Sequence, residues 1–452
     1  MSTPAKTMPS RAVEIVGAAN FTDDPAQLTA YEVDGVRPSA AVRPGAAGEV
    51  AELVKLAVAE KLAVIPMGAR TKLSIGMPPT RYDLAIDMTR LDRVISYDPG
   101  DLTLSAEAGI SLAKLAATLA EHKQFLPLAG PFYERATIGG TLGSGVDSPL
   151  RQMYGTARDF VLGMEFVTGD GALAKSGGRV VKNVSGYDLH KLMLGAIGSL
   201  GVMTRVNFKT FPLAAETRGW LAGFTRAEDA FAFAHTIRKS PLAPQTLEIF
   251  DRSAAGILDT KLPIAQAEWS VAISAAGNER VLERSADDLQ NLSRTANAAA
   301  FRALDGAAAL ELRAAIREFP ALVATKFTDG VIVKFTALPT EMAETVQMLK
   351  TAATERGLPY AVFARGVGVI YFALLPTERD ATTTTRLAQC AKEIISAAGK
   401  NSRGMILQST LELKREANVW SKPGDDFPLM QRVKQAFDPH GIFAPGRFVG
   451  GL

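Results

Sequence analysis

The stretch "ATIGGTLGSG", residues 136–145, sets four glycines among two threonines and a serine. That composition belongs to backbone approached closely by something else, because each missing Cβ removes the atom that would stand in the way. Phosphate-binding glycine loops usually take one of two forms, and the chain contains neither GxGxxG nor GxxxxGK[ST]. The nucleophile elbow GxSxG is missing too, since Ser144 and Ser199 each follow a glycine directly. His122, His190, His235 and His440 lie far apart without an HExxH pattern, which gives a zinc or iron site little support.

The whole chain narrows the choice further. Its 452 residues, 47% hydrophobic and 21% charged, suit a globular protein of two or three domains. Lys plus Arg total 50 against 47 acids, and no basic run is interleaved with aromatics, so no nucleic-acid partner is expected. A single cysteine, Cys390, excludes an intramolecular disulfide, a four-thiolate iron–sulfur cluster and a CxxC knuckle, and fits a reducing, cytoplasmic compartment. The start "MSTPAKTMPSRAVEIV" lacks the apolar core of a signal peptide, and no run reaches the ~18 apolar residues of a membrane helix. Any membrane contact is therefore expected to be peripheral, on the inner face of the cell membrane and through partners.

Upstream of the glycines, "EVAELVKLAVAEK" has a helical period with Val50, Leu53, Val54, Ala57 and Val58 on one stripe, and a strand is predicted at 62–65. Pro66 is expected to stop that strand and Gly68 to permit a tight turn. The amides of Ala69, Arg70, Thr71 and Lys72 can then converge as a nest for a diphosphate, with Arg70 and Lys72 adding charge. On this loop alone, a plain β-turn with exposed basic side chains is an equal reading. "DLAIDM", "RVISYD" and "LTLSAEAG" read as strands, and Ser111 as the cap of a helix with Leu112, Leu115, Ala116 and Leu119 on its core face. After the glycine stretch, "FVLGMEFV" and "ALAKSGG" form a β pair turning at 169–171. Gly195, Gly198 and Gly201 recur every three residues before the strand "VMTRVNF". That spacing serves either close helix packing or a flat ring lying on the chain, and both readings stand.

The segments "PMGARTKL", "ATIGGTLGSG", "YGTARDFVLGMEFVTGDG" and "GYDLHKLMLGAIGSLGV", in this order, resemble the FAD-binding domain of the family that includes vanillyl-alcohol oxidase, D-lactate dehydrogenases and glycolate oxidase. The match spans about residues 35–213. "TKLSIGMPPTRYDLAIDMTRLDRV", "KNVSGYDL" and the tail "DPHGIFAPGRF" look most like the FAD-binding subunits of bacterial glycolate oxidases. The resemblance implies an α+β fold: a p-cresol-methylhydroxylase-type FAD-binding domain of two subdomains over 1–213, a ferredoxin-like α+β cap over 214–400, and a segment 401–452 returning to the FAD domain. It also implies cofactor contacts from Met67, Gly68, Ala69, Arg70, Thr71 and Lys72, and from Pro131, Thr137, Gly139 and Gly140, around the diphosphate. Gly143, Ser144 and Gly145 would run toward the ribityl chain and isoalloxazine, and Gly201 and Val202 would flank the adenine. Relatives that bind FAD covalently often use a histidine in the first loop. None occurs there, so a non-covalent flavin is expected. Two residues depart from the pattern: Arg70 replaces a loop glycine, and the asparagine common near the end of the second segment is lost around Ser144 and Gly145.

From residue 214 the pattern alternates strands and helices in two sets, with an Ala-rich stretch at 296–316 that reads as either a connecting helix or a loop. In catalytic D-2-hydroxy-acid dehydrogenases of the family, the cap carries a His-Gly-Asp-Gly-type segment that binds a metal. Its counterpart here is "ARGVGVIYF", residues 364–372, with neither histidine nor carboxylate. A 2-hydroxy acid needs a cation for its carboxylate and a base for its hydroxyl proton. Arg365 is the candidate cation, with Arg151, Lys182 and Arg447 as rivals; Tyr154, Tyr187 and His190 are candidates by proximity alone, and no metal site is expected. The resemblance implies an FAD-dependent oxidoreductase acting on CH–OH donors: a subunit that oxidises glycolate to glyoxylate together with a second, catalytic flavin subunit and an iron–sulfur subunit. A self-sufficient D-2-hydroxy-acid or alcohol dehydrogenase and a flavin-free structural subunit are the alternatives.

Overall fold

The computed structural model describes residues 7–180, 186–259, 267–378, 380–397 and 402–452. Two sheets build the first part of the chain. The smaller has Phe21–Thr22, Ala40–Val42, Leu84–Asp87 and Val64–Met67 in that spatial order, with the last three strands parallel. Helix Ala47–Ala59 covers it through Val50, Leu53, Val54 and Ala57, the stripe its period predicts. The larger is antiparallel, in the order Val94–Asp98, Thr103–Glu107, Val202–Lys209, Val161–Val167, Leu173–Gly177. Ser111 caps helix Leu112–Ala120 by accepting the Lys114 amide at 3.1 Å.

Pro66 does not end its strand. Val64–Met67 runs through it in register with Leu84–Asp87, and the far edge is closed only by a bridge from Val64 to Phe443. At an outer position, proline's missing N–H deprives no neighbour. Residues 442–444 add to this edge, with Val64 N donating to Ile442 O at 2.7 Å and Ala444 N to Val64 O at 2.8 Å.

The second part is one eight-stranded antiparallel sheet, in the order Ala300–Leu304, Glu216–Phe224, Trp269–Gly277, Thr246–Asp251, Tyr360–Arg365, Val369–Leu374, Val331–Thr336, Arg403–Gln408. Helices Ala227–Lys239, Glu279–Thr295, Met342–Thr354 and Ala381–Ser396 pack on one face. Arg252–Leu258 and Gly306–Lys326 pack on the other. The Ala-rich stretch resolves into strand Ala300–Leu304 and the start of that last helix, capped by Asp305. Arg403–Gln408 pairs with Val331–Thr336, so the return expected from residue 401 first completes the large sheet. Mixed helices and sheets give an α+β fold. Among the described residues, no helix is long and apolar enough to cross a membrane.

Candidate flavin site

The first loop and the opening stretch meet directly. A Cβ on Gly68 would lie 2.0 Å from Thr137 Oγ1, so glycine at 68 is what lets the two segments touch. The second segment is a short helix, Ile138–Ser144, where a loop was expected. Thr137 caps it by accepting the Gly140 amide at 3.1 Å, and the Gly139 amide donates to Ala108 O at 2.8 Å. Packing overrides the poor helix propensity of its glycines. Gly195 and Gly198, at φ +83° and +77°, lie in turns and not in a helix.

Between these segments lies a cleft with about 760 Å³ of empty space, part of it open to solvent. It is lined by Met67, Gly68, Ala69, Arg70, Thr71 and Lys72 from the first loop, and by Thr137, Gly139, Gly140, Gly143 and Ser144 from the helix. Gly201, Val202 and Arg447 complete the predicted residues found there. The sequence reading missed Ile75, Met88, Ala108, Ile197 and Met203, which form much of the apolar wall, and Gly198, one of the glycines spaced for either helix packing or a flat ring, also borders the cleft. Apolar residues at core-like spacing carry no signal separating a core from a cofactor wall.

The donor set and shape suit a diphosphate-linked planar cofactor. The amides of Ala69, Arg70, Thr71 and Lys72 make no backbone hydrogen bond among the described residues, and a diphosphate supplies the acceptors they lack. Burial lowers the Lys72 ammonium to about 8, against the upward pull of Glu318, and among the described residues its only short polar contact is Thr71 Oγ1 at 3.2 Å. An anion in the cleft would favour the charged form and raise it again. A Cβ on Gly140 would meet only Thr137 Oγ1, at 3.0 Å, and one on Gly143 only Met203 Cε, at 3.2 Å. These two glycines thus keep the cleft empty and do little for the fold.

Several predicted residues are elsewhere. Pro131 and Gly145 do not border the cleft. Gly145 ends the helix at φ +61°, and its carbonyl accepts Lys334 Nζ at 3.2 Å. Arg447 lines the cleft, but its guanidinium donates to the carbonyls of Leu73, Ile75 and Met77 at 2.5–3.4 Å, so it braces the loop and is not a free cation. Tyr154 packs edge-on to Phe125 and Phe211, and its hydroxyl accepts from Gln245 at 3.3 Å. Arg151 pairs with Asp147 at 3.2 Å. Tyr187 is 89% exposed, and His190 is buried against Ser176. Lys182, with the rest of 181–185, lies outside the described residues.

Arg365 is 3% exposed and opposes Glu248 across two antiparallel strands, its Nη1 donating to Glu248 Oε1 at 2.9 Å. Asp147, just beyond the glycine helix, places Oδ2 3.6 Å from Arg365 Nε. The tertiary fold thus supplies two carboxylates to a segment that has none of its own. Burial pushes the Glu248 carboxyl up to about 8, with Arg365 pulling it down. Among the described residues, no three His, Cys, Asp or Glu side chains converge as a metal site would require.

Residues 38–177 match the FAD binding domain, and residues 214–448 match the C-terminal domain of FAD linked oxidases. The chain is 24% identical to the glycolate oxidase subunit GlcD of Bacillus subtilis over 98% of this chain and 96% of that protein. It is 39% identical to the glycolate oxidase subunit GlcE of Escherichia coli over 36% of this chain and 46% of that one. The fold superposes on p-cresol methylhydroxylase with a TM-score of 0.79 at 16% identity, covering 97% of this chain and 96% of the other. With a cleft suited to a dinucleotide flavin and a domain match over more than half its length, this chain belongs to the FAD-linked oxidases, as an FAD-binding oxidoreductase.

Proposed function

We propose that this chain is the flavin-carrying subunit of an assembly that oxidises glycolate or a similar small 2-hydroxy acid, working with a catalytic flavin subunit and an iron–sulfur subunit. Its similarity to GlcD and GlcE supports the assembly and the substrate class. The state of Arg365 carries the division of labour. The one cation in the cap segment that would face a substrate carboxylate is buried and held by Glu248 and Asp147, so it is not free to bind a second anion. Bound FAD supplies the two-electron acceptor for hydride from the alcohol carbon. The amides of 69–72 and the Lys72 ammonium would hold its diphosphate, Gly140 and Gly143 leave room for it, and Ile75, Ile197 and Met203 give the cleft an apolar wall for a flat ring.

The FAD-loaded chain alone, mixed anaerobically with glycolate or D-lactate, is expected to bleach slowly or not at all and to gain rapid turnover when the partner subunits are added. Rapid bleaching by the isolated chain, lost in Arg365→Ala, would establish a self-sufficient dehydrogenase in its place. The cofactor is expected to be non-covalent, because the cleft is lined by no histidine, cysteine or tyrosine among the described residues. Acid precipitation should leave the yellow chromophore in the supernatant; colour in the pellet would show a covalent link.

A further inference from the structure

Arg70 stands where the resemblance implies a loop glycine, and it has φ +60°, a conformation that glycine adopts freely and other residues adopt at a penalty. The structure shows what holds it there. Arg70 Nη1 donates to Asp87 Oδ2 at 2.8 Å, and its guanidinium carbon lies 4.8 Å from the centre of the Tyr31 ring. Tyr31 Oη donates to the same Asp87 oxygen at 3.2 Å. Asp87 is 2% exposed, and its other oxygen accepts Thr89 N and Oγ1 at 3.0 and 2.6 Å, so the carboxylate is fixed on both sides. It ends the strand beside Met67 in direct register, three residues before Arg70. The side chain therefore folds back onto the end of the strand beside the one its own loop has just left.

We infer that Asp87 and Arg70 form a positioning pair for the cofactor diphosphate: the buried carboxylate grips the arginine, holds the loop in a left-handed conformation that glycine would reach without help, and so aims the amides of 69–72 into the cleft. The guanidinium also neutralises Asp87, which would otherwise set a buried negative charge beside the diphosphate. Arg70 thus acts through its backbone and through Asp87, and its guanidinium does not itself bind the ligand. This rests on the reading of the cleft as the FAD site.

The test measures FAD and riboflavin affinities of the deflavinated full chain by flavin fluorescence, with circular dichroism and melting of each apo-protein alongside. Asp87→Asn keeps an oxygen for Thr89, so the apo-protein stays folded while the grip on Arg70 is lost. FAD affinity should fall about tenfold, and riboflavin affinity, which has no diphosphate term, should not change. In the Asp87→Asn background, Arg70→Gly should restore FAD binding to within about threefold of the parent, whereas Arg70→Ala should not, because only glycine takes the conformation without help. Three results would overturn the inference: an unchanged FAD affinity in Asp87→Asn, a glycine double variant no better than the alanine one, or an equal loss for riboflavin. A parent chain that binds riboflavin but gains nothing from the diphosphate of FAD would instead overturn the placement of the diphosphate itself.

Discussion

Gly140→Val is expected to abolish most FAD binding while leaving the apo-protein folded. The added Cβ meets only Thr137 Oγ1, within its own helix, so the fold has one contact of 3.0 Å to relieve. The rest of the side chain projects into the cleft beside the first loop, where the diphosphate is expected. Overpacking of a filled site typically costs about 1–3 kcal/mol, which corresponds to roughly 5- to 150-fold in affinity. Gly68→Ala is the contrast. Its Cβ would overlap Thr137 at 2.0 Å, so it should destabilise the apo-protein as well as lose flavin. Flavin content after reconstitution and apo-protein melting separate the two. Full flavin content in Gly140→Val would mean that these glycines only shape a turn.

The second large effect lies at the contact between the eight-stranded sheet and the segment after the glycine helix. Arg365→Ala leaves Glu248 buried without its donor and removes the cation 3.6 Å from Asp147 Oδ2. Removing one partner of such a buried pair typically costs about 3–5 kcal/mol. Urea unfolding should show the loss, and Arg365→Lys should recover only part of it, because an ammonium cannot present Nη1 and Nε to two carboxylates at once. A change under about 1 kcal/mol would mean that the pair contributes little. Stability should also depend on pH through Glu248, whose carboxyl is raised in the fold from 4.5 to about 8. The folded state holds this proton more tightly than the unfolded chain, so the contribution is fully present below about 4.5 and is lost as pH rises to about 8. Asp251, raised from 3.8 to about 7 chiefly by burial, acts in the same direction. Glu248→Gln should therefore flatten the profile between about pH 5 and 8; parallel profiles for parent and variant would locate the dependence elsewhere.

Local sequence carried the parts of this protein that depend on local physics. Glycine-rich stretches announce close approach because the missing Cβ is a property of the residue itself, and both stretches do border the cleft. Helical periods and caps, such as the stripe on Ala47–Ala59 and Ser111 before Leu112–Ala120, follow from side-chain spacing and one short hydrogen bond. The tertiary structure decided what depends on residues far apart in the chain. The glycine stretch is a helix because Ala108, Thr137 and the 195–198 turns pack around it, which outweighs glycine's poor propensity. Ile75, Ile197 and Met203 became a cleft wall through sheet topology, since apolar spacing is the same for a core and for a cofactor wall. Glu248 sits in the fully buried strand Thr246–Asp251, where a carboxylate at a core position signals a partner without naming it. Only the pairing of that strand with Tyr360–Arg365, and the approach of Asp147 after the glycine helix, identified the partner as Arg365 and placed that candidate cation in a buried ion pair. Charge pairing at that range is set by where the backbone goes, and the backbone's course is a sum over the whole fold.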